Sequence, residues 1–407
     1  MNKQNSTQTF DVVIVGAGSA GIATASSLLK RQADLSIVLI DPSQDHYYQP
    51  GWTMVGGGIF QASDTHRKTA DLIPSGTSWV SQSVTEFNPQ ENTVVLDDGQ
   101  SIVYQQLIVA SGLTLDWAGI DGLEDALGKN GVTSNYRYDL APYTWELVQN
   151  LKQGNAVFTQ SPMPIKCAGA PQKALYLSAD HWFKQNRIND VNVSFYNAAP
   201  VLFGVADYVP ALMEYMEKYR AELNFTHNLI SVDGAAKTAT FKAGEETIVK
   251  DFDFLHVCPP QRAPDFIRDS SLSDDAGWLS VNPATLQHTE HANIWGVGDV
   301  MNTMNAKTMA AARKQAPVVA QNVVNQLAGS SSRVEYNGYG SCPLTVEKGK
   351  IVLAEFAYGG KLVPTFPTWM NEGTQPSRFA WHLKANVLPS IYWNAMLKGR
   401  EWLASPD

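Results

Sequence analysis

Asp11-Val12-Val13-Ile14-Val15-Gly16-Ala17-Gly18-Ser19-Ala20-Gly21 is the stretch on which the fold turns. Asp11–Val15 reads as a short, buried strand, because β-branched residues in an unbroken apolar run suit a sheet covered on both faces. It runs straight into a G-x-G-x-x-G turn and then into the helix-like segment Ile22–Leu29. Ser36–Ile40 is a second strand ending on Asp41, an acid 20 residues beyond Gly21. This is the β-turn-α-β unit of a dinucleotide-binding fold. Gly16 permits the tight turn, Gly18 lets the backbone approach a pyrophosphate, and Gly21 lets helix and strand pack closely. The helix N-terminus favours phosphate charge. Asp41 can accept hydrogen bonds from ribose hydroxyls.

Further along, Leu107–Gly112 (LIVASG) and Ile294–Asp299 (IWGVGD) are strands that end in small-residue turns. Both resemble signatures of flavoproteins with two dinucleotide-binding folds, in which the late aspartate bonds the ribityl chain of FAD. That resemblance implies FAD as the cofactor, held by Gly16, Gly18, Ala20, Gly21, Asp41, Ser111, Gly112, Gly298 and Asp299. It implies an α/β fold of two Rossmann-like domains: a discontinuous FAD domain over residues 1–113 and 280–330, and a second domain inserted at 114–279. Within the insert, Ala156–Phe158, Val191–Tyr196 and Asp253–Val257 read as strands and Ala174–Lys184 as a helix. Ser330-Ser331-Ser332 reads as a linker to a C-terminal region, 331–407, of amphipathic helices.

The strand Ala156–Phe158 leads into a segment containing Pro162, Pro164 and Ile165–Lys173 (IKCAGAPQK). A flavin enzyme fed by NAD(P)H usually carries its second glycine-rich phosphate loop at that junction. Its replacement by prolines and a cysteine points to electrons arriving from a small species that reacts with sulfur. Lys166 and Lys173 near Cys167 favour its thiolate. Cys342 lies in the glycine-rich turn Gly338–Pro343. Two distant cysteines meeting over a flavin would form a dithiol–disulfide redox pair, although a lone cysteine read from sequence is more often an inert core residue. Cys258 ends a strand and reads as packing.

Composition narrows the classes. Hydrophobic content of 44% and charged content of 17% belong to a folded globular chain. A formal net charge of -9 argues against nucleic acid as a partner. No run approaches the roughly 20 apolar residues that span a bilayer, and MNKQNSTQTF shows neither a signal-peptide nor a transit-peptide pattern. Three cysteines with no C-x-x-C and no Cys/His cluster argue against a disulfide scaffold or a metal site.

Taken together, His46–Gly58 (HYYQPGWTMVGGG), Lys166–Lys173 (KCAGAPQK), Thr285–His288 (TLQH), Lys307–Ala312 (KTMAAA) and Ser341–Leu344 (SCPL) resemble the sulfide:quinone oxidoreductase family, especially its mitochondrial-like branch, over essentially the whole chain. The resemblance implies that sulfide attacks a Cys167–Cys342 disulfide and that Cys342 keeps the sulfur as a persulfide. Cys167 becomes the thiolate that reduces FAD, and reduced FAD passes two electrons to a quinone. A second nucleophile, such as sulfide, sulfite or a thiol like glutathione, removes the sulfur. Lys307 is expected to approach the flavin and stabilise its negative charge. Phe356, Tyr358 and Phe366 are candidates to stack on the quinone. Bacterial-type members often carry a third cysteine early in the insert; none precedes Cys167 here. The rival readings are a type-2 NADH:quinone dehydrogenase, a sulfide- or persulfide-sensing flavoprotein that does not turn over, and a partner of a cytochrome subunit.

Residues 364–407 hold Trp369, Trp381, Trp393 and Trp402, four of the chain's 11 tryptophans. From Pro376 onward Arg378, Lys384, Lys398 and Arg400 against Glu401 and Asp407 leave a net charge of +2. Val387, Leu388, Ile391, Tyr392, Ala395 and Met396 fall on one side of a helix. Aromatics with basic residues on such a helix suit the headgroup boundary of a membrane; docking on the protein core or on a homo-oligomer partner is the alternative. The resemblance implies monotopic attachment, expected on the cytoplasmic side.

Overall fold

The structure is a computed structural model that describes residues 8–406. Most of the segment read for targeting, and Asp407, lie outside the described residues. The first strand, Gln8–Val15, lies between Ile37–Ile40 and Ser101–Val109, parallel to both. Thr77–Val80 extends this sheet beyond Ile37–Ile40. The strand Ser101–Val109 has two partners in succession. Its first half takes the hairpin Val84–Asn88/Thr93–Leu96 antiparallel, and its second half takes Ile294–Gly296 parallel, with Leu107 beside Ile294. Val12, Val13, Ile14, Val38, Leu39, Leu107 and Ile108 are completely buried. Such unbroken apolar runs are what a parallel sheet covered on both faces demands.

The helix Ser19–Arg31 follows the glycine turn and packs against the long helix Met309–Leu327. Two glycines leave no choice of residue. Gly16 sits at φ +109°, and a Cβ there would lie 2.6 Å from the Ala110 carbonyl oxygen; a Cβ on Gly21 would lie 1.9 Å from that of Gly16.

A second, five-stranded parallel sheet runs Val132–Thr133, Phe254–His256, Gly154–Gln160, Val191–Asn197, Glu222–Phe225. Its helix starts at Ala170, four residues before the sequence-based expectation, with Pro171 in the first turn, where a missing N–H costs nothing. A three-stranded antiparallel meander over Asn228–Asp233, Thr238–Ala243 and Glu246–Asp251 was not foreseen. Only Leu229, Val232, Ala239 and Phe241 of its strands are buried, which leaves little apolar signal to read.

The C-terminal hairpin, Gly340–Glu347 with Lys350–Phe356, packs on the helix Ala170–Lys184. Leu344, Val346, Val352 and Ala354 share one core with Ala174, Leu175, Tyr176 and Trp182. Burying Leu344 and Val352 fully contributes about 1.5–3 kcal/mol each. This packing carries Cys342 across to the start of the same helix.

The final segment departs from expectation. Tyr392, Ala395 and Met396, placed on a membrane-facing side by sequence reasoning, are buried; Tyr392 and Met396, with Trp393 and Leu397, belong to the core of the first sheet. That face of Leu388–Asn394 therefore docks on protein. An apolar helical stripe has the same sequence pattern whether oil or a protein core receives it. Among the described residues, no helix is long and apolar enough to cross a membrane.

Candidate active site

The two sheets and the C-terminal region enclose a cavity of about 550 Å³. Gly18, Ala20, Asp41, Ser111, Gly112, Gly298 and Asp299 line it. Gly16 and Gly21 do not; they act from behind, by shaping the turn. Several features fit the cavity to a dinucleotide. A Cβ on Gly18 would meet no atom within 4 Å, and the helix it begins has no side-chain cap, so its N–H groups are open to phosphate. Trp52 Nε1, Thr53 Oγ1, Ser111 Oγ and both amide atoms of Asn135 are buried without a hydrogen-bond partner among the described residues. All four residues line the cavity. Orphaned polar atoms of this kind cost about 1–3 kcal/mol apiece unless a bound group satisfies them. Asp41 accepts from the Ala17 N–H at 2.7 Å and the Ser43 N–H at 2.8 Å, which fixes its carboxylate at the cavity edge. Burial raises the pKa of the Asp299 carboxyl, opposed by the charge of Lys307.

Lys307 is neither solvent-facing nor free. Its ammonium donates to the carbonyls of Asp299 at 2.8 Å and Met301 at 2.6 Å and lies 4.1 Å from the centroid of the Trp278 ring. Burial pulls its pKa down to about 8. The lysine clamps the loop that presents Asp299, while its stem lines the cavity.

The sulfur pair lies at the junction of the second sheet and the C-terminal hairpin. Cys167 Sγ is 3.5 Å from Cys342 Sγ across 175 residues of sequence. A disulfide needs about 2.05 Å, so the two cysteines stand unbonded, as neighbours within easy reach of a bond. Cys167 holds a left-handed backbone at φ +50°, and its N–H donates to the Lys307 carbonyl at 2.9 Å. Gly169 makes room for the partner: a Cβ there would fall 2.6 Å from Cys342 Sγ. Cys167 lines the cavity, whereas Cys342, 2% exposed, lies behind it.

Lys173, about one turn into the helix, donates its ammonium to Cys167 Sγ at 3.0 Å. The hydrogen bond from Cys342, and then the Lys173 charge, hold the Cys167 thiol well below the usual range against the cost of burial. Cys342 is pushed well above it by donating that hydrogen bond and by burial. The pair is polarised, with Cys167 the more acidic partner. Cys258 is different. It is 1% exposed, burial raises its pKa to about 11, and it packs with Tyr136 and Ile165.

Sequence reasoning missed several cavity residues. Lys384, from the C-terminal segment, is buried near Cys167 and Lys173 and donates to the Pro50 carbonyl at 2.9 Å; burial, then the Lys173 charge, lowers its pKa to about 7. Asn135 and Tyr136 enter from the second domain, and nothing in their local sequence marks them. Trp52 and Thr53 lay within the motif His46–Gly58, which could have singled them out. Of the three aromatic candidates only Phe366 lines the cavity. Phe356 packs edge-on against Phe203 at 6.0 Å, and Tyr358 packs against Tyr336 and donates its hydroxyl to Pro283. Strand alternation explains this: Leu353 and Glu355 face the cavity, so Phe356 points the other way.

Residues 10–152 match the family model described as pyridine nucleotide-disulphide oxidoreductase. The mitochondrial sulfide:quinone oxidoreductase of Dictyostelium discoideum is 41% identical over 96% of this chain and 86% of its own. The chain belongs to the sulfide:quinone oxidoreductase family. The mouse (Mus musculus) mitochondrial sulfide:quinone oxidoreductase is 37% identical over 96% of this chain and 87% of its own. The fold of the Aquifex aeolicus sulfide:quinone oxidoreductase superposes with a TM-score of 0.80 at 19% identity, over 97% of this chain and 92% of that one. The cofactor of this oxidoreductase is FAD, in keeping with the cavity's fit. A nicotinamide-fed reading is disfavoured, since the junction between the strand Gly154–Gln160 and the helix Ala170–Lys184 presents Cys167 in place of a glycine cradle.

Proposed function

We propose that this chain oxidises sulfide and reduces a quinone through a Cys167/Cys342 disulfide. One observation carries the residue assignment: Cys167 Sγ, held by Lys173 and open to the dinucleotide cavity, lies 3.5 Å from Cys342 Sγ just behind it. Hydrosulfide attacks Cys342 Sγ of the disulfide. The S–S bond breaks, its electron pair departs on Cys167, and Cys342 holds the persulfide. The polarity has a physical reason, because in thiol–disulfide exchange the sulfur with the lower pKa leaves faster. Lys173 keeps that pair on Cys167. When bound, FAD supplies the two-electron acceptor between the cysteine pair and the quinone. A second nucleophile takes the outer sulfur from Cys342; Lys166, Lys173 and Lys384 around the pair favour an anion, such as sulfide, sulfite or the thiolate of glutathione. The sulfur is oxidised by two electrons and the quinone is reduced by two.

The same reading divides the chain into a discontinuous FAD domain, 1–113 with 280–330, an insert, 114–279, and a C-terminal region, 331–407. The pairing of Ile294–Gly296 with Ser101–Val109 supports it. We assign the quinone to the apolar wall of the cavity at Phe366, Leu383 and Leu388. Phe379, 36% exposed, stands edge-on to Phe366 at 5.0 Å and continues that wall to the surface. Trp369, 81% exposed, and Met370 lie on the same C-terminal region, and we place the membrane contact there. Replacing Trp369 and Met370 together by serine should weaken flotation with phosphatidylcholine vesicles about tenfold or more, from lost apolar burial; unchanged flotation would refute the assignment.

The overall reaction is tested anaerobically. Sulfide alone should bleach the flavin absorbance of the purified protein, and a soluble quinone should restore it. Bleaching by NADH and not by sulfide would overturn the reading.

A further inference from the structure

The last segment of the chain does more than end it. From Leu388 onward it runs along the cofactor cavity, and Leu388, Ile391, Tyr392, Met396, Trp402 and Leu403 line it. The Tyr392 ring is 2% exposed and its hydroxyl reaches the start of the phosphate-binding helix, 2.7 Å from Ser19 Oγ. The same hydroxyl meets His46 Nε2. Burial lowers the His46 pKa to about 4, so the ring is neutral. Its Nδ1 faces the Ala17 carbonyl at 3.3 Å and carries the proton, which leaves Nε2 to accept from Tyr392. Tyr392 thereby ties Ser19 of the glycine turn to His46 and, through it, to the Ala17 carbonyl in the middle of that turn.

Beyond the cavity the segment is fastened to the back of the same helix. Ser26 Oγ donates to the Leu397 carbonyl at 2.8 Å. Gly399 comes so close that a Cβ would lie 2.7 Å from the Ser26 carbonyl oxygen. Glu401, its side chain 7% exposed, accepts from both guanidinium nitrogens Nη1 and Nη2 of Arg31, from Ser27 Oγ and from Lys30 at 3.0 Å. Arg313 donates to the Trp402 carbonyl. A surface tail needs none of these ties.

We propose that residues 388–403 are part of the FAD-binding site, with Tyr392 as a cofactor-site residue and the Glu401–Arg31 pair as the clasp that holds the segment over the cavity. The segment closes the phosphate end of the cavity, so FAD leaves only when the clasp opens. The proposal rests on the assignment of FAD to this cavity. It predicts that FAD retention, measured without any substrate, depends on residues outside the glycine motif and more than 350 positions away from it in the chain.

The test is FAD release from the full-length holoprotein, followed as the rise of flavin fluorescence after dilution. Tyr392→Phe should speed release about tenfold, the scale of one or two buried hydrogen bonds. Glu401→Gln should speed it several-fold, and a chain ending at Val387 about a hundredfold or more. Tryptophan-detected unfolding at saturating FAD accompanies each variant, so a truncation that fails to fold leaves the two point variants to decide. Release at the parent rate from both Tyr392→Phe and Glu401→Gln would overturn the proposal. A full-length chain that binds no FAD at all would overturn the cofactor assignment, and this inference with it.

Discussion

Cys342→Ser is expected to lower the rate of flavin reduction by sulfide at least about a thousandfold while leaving FAD bound. Without Cys342 there is no disulfide for hydrosulfide to attack, and Cys167 alone offers a thiolate, which repels another. Losing the covalent partner outright costs orders of magnitude in nucleophilic catalysis. The fold should survive, because serine nearly preserves the volume at a position where Gly169 has already left space. Its hydroxyl can still face Cys167. Cys258→Ala is the internal control: that thiol is buried in a packed cluster with its pKa raised to about 11, and its loss should leave the rate within a few-fold. Stopped-flow absorbance under anaerobic conditions reads both. Bleaching of the Cys342→Ser protein within tenfold of the parent rate would remove the cysteine pair from the reaction.

The second large effect concerns Lys173→Gln and appears as a change in pH dependence. In the parent, the hydrogen bond from Cys342 and the Lys173 ammonium hold Cys167 well below the ordinary thiol range, which favours its thiolate. Removing the ammonium leaves the burial cost, which acts in the opposite direction and raises the pKa. An opposite charge in contact is worth about 1–3 pKa units. The sign follows: thiolate is lost at the low end of the pH range first, and the variant recovers as pH rises. Flavin reduction by sulfide should fall about 10–100-fold near pH 7 and climb with pH, while the parent stays flatter over the same interval. A uniform loss with no change in the shape of the profile would mean that Lys173 only packs the helix.

Much of the chemistry was legible in short stretches. The Gly16–Gly21 turn, the strand before it and the acid at Asp41 each obey a local rule, and the structure keeps all three in their expected elements. Cys167 and Lys173 lie six residues apart at the start of a helix, so their contact is nearly a local matter too. The aromatic candidates fared differently. Phe356 belongs to a strand whose cavity-facing phase is set by its partner: Cys342 opposite Ala354 places Leu353 and Glu355 on the cavity side. Residue type alone carries no information about that phase.

From its sequence alone, this protein reveals a dinucleotide turn, the lack of a second one, and the sulfur and ammonium groups available for chemistry. These follow from backbone sterics and from periodicity, which act over a few residues. The tertiary structure decided that Cys342 meets Cys167 across 175 residues, that Lys384 reaches the same cavity, and that Tyr392 and Met396 of the apolar stripe pack into the core of the first sheet beside that cavity. Those outcomes are set by the summed burial of many side chains on three separate packing faces. Each contributes little and none leaves a local mark, so the choice among receiving surfaces exists only once the whole chain is folded.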